Sequence, residues 1–338
     1  MSSASIFRRK ILPFVIMFLS VGQPLYATLD QIKNAEGDAP RFSLSADFLY
    51  WYPSEEIASI WADEIASVGN TKSWKAQGFD FKWDYGFRLG LGYNLVYDGW
   101  DIAFYWTWFR TDTTHTLSSK PNVTLRPEFF AAFLSFDTPK SMSANWDLFF
   151  NMFDLELGRC FWPSKNVSLR PFLGIKGGWI NQSIHAKYYD LIVDSLFPTT
   201  LSAKEELEND FWGIGPVGGV NSVWKMFGSA SKFFNLFGDF SVATMWGSWS
   251  CSDVYKSQLP KTSSVNTNDS ALGALMFRGF AGVGWDIDLY QKRSHFALKI
   301  GYEMQLWLNQ LRIATFQLQR LHDDLTLQGL TLNCRLDF

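Results

Sequence analysis

Past residue 27 the chain has no apolar run approaching the roughly 18 residues that a membrane-crossing helix needs. It is also poor in cysteine. Cys160, Cys251 and Cys334 are too few and too scattered for a disulfide framework or a zinc site, and an odd count leaves at least one thiol free or paired with another molecule. The four histidines, His115, His185, His295 and His322, include no two at ligand spacing, so they read as solvated or rim side chains and no metal is expected. Basic clusters are missing after the first ten residues, which removes the electrostatic footprint of a nucleic-acid binder. Glycines such as Gly86, Gly90, Gly92, Gly213, Gly215 and Gly218 lie in no strand-then-helix unit, so they do not read as a phosphate loop and no cofactor is implied. They read instead as relief of crowding in a curved sheet.

What is present starts with Arg8, Arg9 and Lys10, followed by the apolar run Ile11 to Val21 and a polar stretch ending in Leu25-Tyr26-Ala27. That is the layout of a secretory signal peptide over 1–27, with cleavage after Ala27 and a mature chain starting near Thr28. Losing the three leader cations takes the formal charge from -3 to -6. Aromatic residues make up 17% of the chain, with 16 Trp and 31 Phe, yet the mean hydropathy is only -0.06. A transmembrane β-barrel reconciles the two, because its outer band is apolar and its inner face is polar.

Alternation with period two supports that fold. In the segment 79–93, Phe79, Phe81, Trp83, Tyr85, Phe87, Leu89, Leu91 and Tyr93 share one face, and Asp80, Lys82, Asp84 and Arg88 the other. Nine more segments read the same way: 42–52, 100–108, 146–161, 168–181, 211–224, 234–249, 275–290, 295–309 and 325–338. Ten strands are therefore expected in an all-β, antiparallel up-and-down barrel over 41–338, after a periplasmic segment at 28–40. The connections alternate between long and short, which places long loops outside the cell and tight turns in the periplasm. Asp98-Gly99 is the clearest tight turn. The loop 110–145 carries the apolar stretch Phe129 to Leu134, which reads either as an extra hairpin, giving twelve strands, or as a segment folded into the lumen.

The charges on the inner faces are the candidate functional residues. Asp80, Lys82, Asp84, Arg88, Asp154, Glu156, Lys176, Arg278, Asp286, Asp288, Lys299 and Glu303 are expected to line the lumen. Two readings follow: a lining that sets ion selectivity, or ion pairs that fill a narrow barrel. Terminal Phe338, on a face with Leu330, Leu332 and Leu336, matches the closing-strand signal read during barrel insertion. Outer-membrane lipid and the barrel-assembly machinery are the expected partners, with host or cell-surface ligands at the long loops. Catalysis would need a constellation such as Ser183 with His185, or His322 with Asp323 and Asp324. These are small coincidences in polar loops, so no enzyme is expected.

The stretches ADFLYWYP (46–53), GFRLGLGYN (86–94), LRPFLGIKGGWINQ (169–182), FWGIGPVGGVNSVW (211–224), LKIGYEMQLWLNQ (298–310) and the closing strand resemble the major outer membrane protein family of Chlamydia-related and Legionella-type bacteria. The resemblance implies a surface-exposed barrel with porin activity, passing small polar solutes by diffusion. The rival reading is a non-conducting surface barrel acting in adhesion or envelope structure. Chlamydial members are cysteine-rich and cross-linked, a feature that three cysteines do not reproduce.

Overall fold

The computed structural model describes residues 41–338 apart from 56–59, 96–97, 130–137, 193–199, 230, 259–261, 290–293 and 315–319. The expected leader and the segment 28–40 lie outside the described residues, as does most of the apolar stretch at 129–134. Ten strands close into one antiparallel barrel: β1 (Phe42–Ser54), β4 (Asp84–Asn94), β5 (Trp100–Ser118), β7 (Ser141–Arg159), β9 (Val167–Ile192), β10 (Thr200–Gly228), β11 (Lys232–Ser257), β12 (Thr262–Leu289), β13 (Ser294–Ala314) and β14 (Arg320–Asp337). Each pairs with its neighbour in that order, and β14 pairs with β1 to complete the ring. A short strand β8 (Phe161–Ser164) forms a hairpin with β9 at the end of the barrel that holds Phe42 and Phe338. There the main chain of Phe42 and Phe338 exchanges hydrogen bonds, and the two rings stack 6.2 Å apart. Asp98 and Gly99 both have positive φ, as the primed hairpin turn between β4 and β5 requires.

Three further strands, β2 (Ala62–Val68), β3 (Thr71–Gln77) and β6 (Val123–Pro127), form a separate small sheet in the order β3-β2-β6. They account for much of two expected loops. β6 pairs with β2 and not with a barrel strand, so it adds no staves to the barrel.

The strands are far longer than the segments read from apolar periodicity. A barrel strand needs roughly 9–11 residues to cross a membrane, yet β10 has 29 residues and β12 has 28. The excess lies at the far end, where loops were expected at 110–145, 183–210, 251–272 and 310–324. The reason is a change of polarity along the strands. Near the termini, Leu336, Leu44, Leu91, Phe104, Leu155 and Ile175 sit side by side on neighbouring strands and all face outward, each 40–53% exposed. Exposed Trp83, Trp179, Trp212 and Trp246 stand toward the upper edge of this band, with Trp162, Trp224 and Phe227 at the terminal end, as aromatic girdles do at membrane interfaces. Higher up, the outward row becomes Asp112, Asp147, Ser183, Glu208, Ser252 and Asn266. The period of two persists, but the outer face is now polar, and a search for apolar-out strands stops at the boundary.

The first strand segment also needs correction. Strand β4 begins at Asp84, not Phe79, and Phe79 and Phe81 turn inward: Phe79 stacks on Trp61 at 6.0 Å and Phe81 meets Trp146 edge-on at 4.9 Å. A non-strand stretch carries no obligation to keep β alternation, so Asp80 and Lys82 are exposed and do not reach the barrel interior.

Candidate functional site

The barrel interior divides into two layers. The layer nearer the termini holds charges in paired groups. At its centre, Glu303 is fully excluded from solvent and accepts from the Arg88 guanidinium at 2.7 Å and from Arg278 Nε at 2.7 Å. Arg88 also reaches Asp47 at 3.0 Å and donates from Nε to the Thr107 hydroxyl at 2.9 Å. Thr331 and Gln305 donate to the remaining acceptor sites of Glu303 at 3.2 and 3.0 Å. A buried carboxylate between two guanidiniums needs this degree of satisfaction, because desolvation of the ions otherwise outweighs their attraction.

Two further groups fill the same layer. Lys176 pairs with Asp154 at 2.7 Å. Arg170 binds Asp101 at 2.5 Å, Glu156 at 2.9 Å and the Asn221 amide oxygen at 2.8 Å. Its guanidinium lies over Gly158, where a side chain would collide with it. At the terminal rim His295 stands between Asp286 and Asp337, 3.1 Å from each, and Arg335 also holds Asp337. Asn235 donates to Asp286.

Of the residues expected to line the lumen, Arg88, Asp154, Glu156, Lys176, Arg278, Asp286 and Glu303 therefore converge inside, all bonded to one another or to neighbours. Asp84 sits higher and accepts from the Thr111 hydroxyl at 2.6 Å. Lys299 places its ammonium 5.1 Å from the Phe237 ring centre, and Asp288 lies at the terminal rim, where its N–H donates to the Ser231 carbonyl. Periodicity missed Asp47, Asp101, Arg170, Arg335 and Asp337 as members of these groups. Asp47 was legible, since it shares a face with Ser43 and Ser45, whereas Arg170 and Asp101 are joined only by the closed sheet.

The second layer, toward the far end, is apolar. Trp51, Trp61, Trp146, Trp249, Trp307, Phe109, Phe150 and Phe211 are all buried in one continuous core. Phe211 packs on Trp249 at 4.3 Å, and Phe150 meets Trp307 edge-on at 5.6 Å. All five buried indole N–H groups have acceptors: Thr331, His115, Gln182, the Gln310 carbonyl and Gln305. That satisfaction is what buried tryptophan requires. Just past the end of β1, Glu55 is 5% exposed, with Gln182 beside its carboxyl group. Burial, and then the nearby Asp323, push its pKa up to about 8.

Strand alternation sends His322 outward and Asp323 inward, so the imidazole and that carboxylate leave on opposite faces. Asp324 accepts the Asn309 N–H at 2.7 Å. Ser183 and His185 share the outer face of β9, two residues apart.

A family model described as Legionella pneumophila major outer membrane protein precursor matches residues 37–338. No curated protein matches the chain. Among solved structures, the outer membrane protease OmpT from Escherichia coli is similar at 10% identity over 88% of this chain and 96% of that one, with a TM-score of 0.41. A Pseudomonas aeruginosa FadL homologue is similar at 8% identity over 89% and 90%, with a TM-score of 0.26. Neither likeness bears on the chemistry of this chain.

Proposed function

The chain belongs to the family of the Legionella pneumophila major outer membrane protein precursor, and is thus a bacterial outer-membrane β-barrel; from that premise we propose that it is a closed barrel that holds a tall extracellular extension at the cell surface, without enzymatic activity. One observation carries this reading: the charges at the centre of the layer nearer the termini are paired and dehydrated instead of lining water, with Arg88 6%, Lys176 5% and Glu303 0% exposed. Ten strands lie between the roughly eight that side chains fill and the 16 to 18 that leave an open channel. With aromatic rings packed above the ion pairs, two successive layers oppose a diffusing solute. Function then rests on the wall and the small β3-β2-β6 sheet above the membrane, where host or cell-surface ligands would meet the protein.

Liposome swelling with small sugars tests the reading. Folded protein should leave vesicles as tight as protein-free controls. Swelling at the rate given by a general porin would restore diffusion of polar solutes as the function.

A further inference from the structure

At the terminal, periplasmic end, the β8–β9 turn and the β10–β11 turn enclose a groove of about 290 Å³. Its cations are Lys165 and Lys225. The Lys225 ammonium lies 4.3 Å from the Phe233 ring centre and 5.0 Å from that of Trp162, an arrangement that holds a cation by its attraction to the ring faces. The Lys225 N–H donates to the Asn166 carbonyl at 2.7 Å, which ties the two turns together. A register irregularity between Lys225 and Phe227 breaks strand alternation at this point. Among the described residues neither lysine forms an ion pair with a carboxylate, unlike Arg88, Arg170, Lys176 and Arg278 in the interior.

The groove is continuous with the lipid-facing surface. Trp162, Met226 and Phe227 beside it are 51%, 57% and 67% exposed, and Phe227 stacks with Phe234 at 5.0 Å. Two uncompensated ammonium groups next to exposed apolar side chains, at the level where a bilayer passes from acyl chain to headgroup, complement one kind of molecule: a negative phosphodiester on a diacyl tail. We propose that this groove is a binding site for the phosphate of a glycerophospholipid in the periplasmic leaflet. Lys165 and Lys225 take the phosphate, the Ser229 hydroxyl lies within the same groove, and the acyl chains run along Met226 and Phe227. The site is independent of whether the barrel conducts.

Native mass spectrometry of the folded, detergent-solubilised protein titrated with dioleoyl phosphatidylglycerol tests it. The wild type should hold one lipid more tightly than the rest. At about 1 kcal/mol per surface cation, Lys165→Gln with Lys225→Gln should weaken that binding about thirtyfold. The same charge change far away, Lys72→Gln with Lys75→Gln on β3, should leave it unaltered, and dioleoylglycerol, which lacks the phosphate, should not compete. Lys225→Arg, which keeps a cation over the two rings, should retain the lipid. If the double variant does not fold, Lys165→Gln alone should weaken binding about fivefold. Equal affinity of wild type and groove variants, equal loss in the β3 variant, or competition by dioleoylglycerol would overturn the proposal.

Discussion

Strand β7 shows both halves of the barrel in one stretch of chain. Toward the end that holds the termini it turns Phe153, Leu155 and Leu157 outward and Asp154 and Glu156 inward. Toward the far end it turns Ser143, Asn145 and Asp147 outward and buries Met142, Ala144, Trp146, Leu148 and Phe150. The backbone is the same and the surroundings differ. Above the membrane, water surrounds the wall, so burying apolar side chains inside gives the usual hydrophobic stabilisation. Within the membrane, lipid accepts apolar side chains on the outside and that driving force inward disappears. Cohesion across the lumen there comes from hydrogen-bonded ion pairs such as Arg88–Glu303–Arg278. The molecule is an inside-out barrel joined end to end with an ordinary one.

The sharpest way to break this comparison is to remove one member of the lower network. Glu303→Ala takes the carboxylate from Arg278 and leaves Arg88 with Asp47 alone, and should destabilise the barrel by about 3–5 kcal/mol. Replacing Asp47, Arg88, Arg278 and Glu303 together with apolar residues of similar volume should cost much less than the single change. Denaturant unfolding in detergent, followed by heat-modifiable mobility, measures both. If the fourfold replacement loses as much as Glu303→Ala, the network is not a self-contained unit.

Outward charge separates the halves next. Leu155→Arg on the lipid face should cost about 2–4 kcal/mol near the bilayer midplane. Asn145→Arg, ten residues earlier on the same face of the same strand, should stay within about 0.5 kcal/mol. Equal losses, read by folding into vesicles, would place the membrane boundary elsewhere.

A third difference is one of pH and belongs to the upper half alone. Glu55 titrates at about 8 in the folded protein against an ordinary 4.5. The folded state therefore binds more protons than the unfolded one between these values, and stability is full below the lower value and declines as pH rises toward the upper one. The slope is at most about 1.4 kcal/mol per pH unit. Burial, and then a hydrogen bond with Asp63 and the charge of that carboxylate, also push Glu128, just past the end of β6, up to about 7. Thermal unfolding at pH 5 and pH 8 should show the wild type losing stability at the higher pH, and Glu55→Gln should flatten part of that loss. A wild type more stable at pH 8 would contradict the assignment.

The same comparison explains what could be read from the sequence. Alternation from Tyr85 to Tyr93 marked a lipid-facing strand, and ten such segments matched the ten barrel strands in order and direction. Continuations such as Ser143 to Asp147 were hidden because their outer face is polar, and a polar alternating stretch resembles a loop when read alone. Phe79 and Phe81 kept the parity of the strand they precede while lying outside it, which carried Asp80 and Lys82 into the lumen on paper. Glu303 and Arg88 were legible as inward residues. Their contact was not, because 215 residues separate them and only ring closure through β14 and β1 brings them together. Leu49 and Trp51 share the parity of Asp47, and that switch from polar to apolar within one face was the available sign of the upper core.

Single-channel recording of folded wild-type protein in planar bilayers tests the closed interior most directly. With heat-modifiable mobility confirming the fold, the paired lower layer and the packed aromatic layer predict a silent membrane at voltages and salts where porins conduct. Stable, reproducible conductance steps from the same preparation would contradict a sealed barrel and return the interior charges to the role of a selectivity lining.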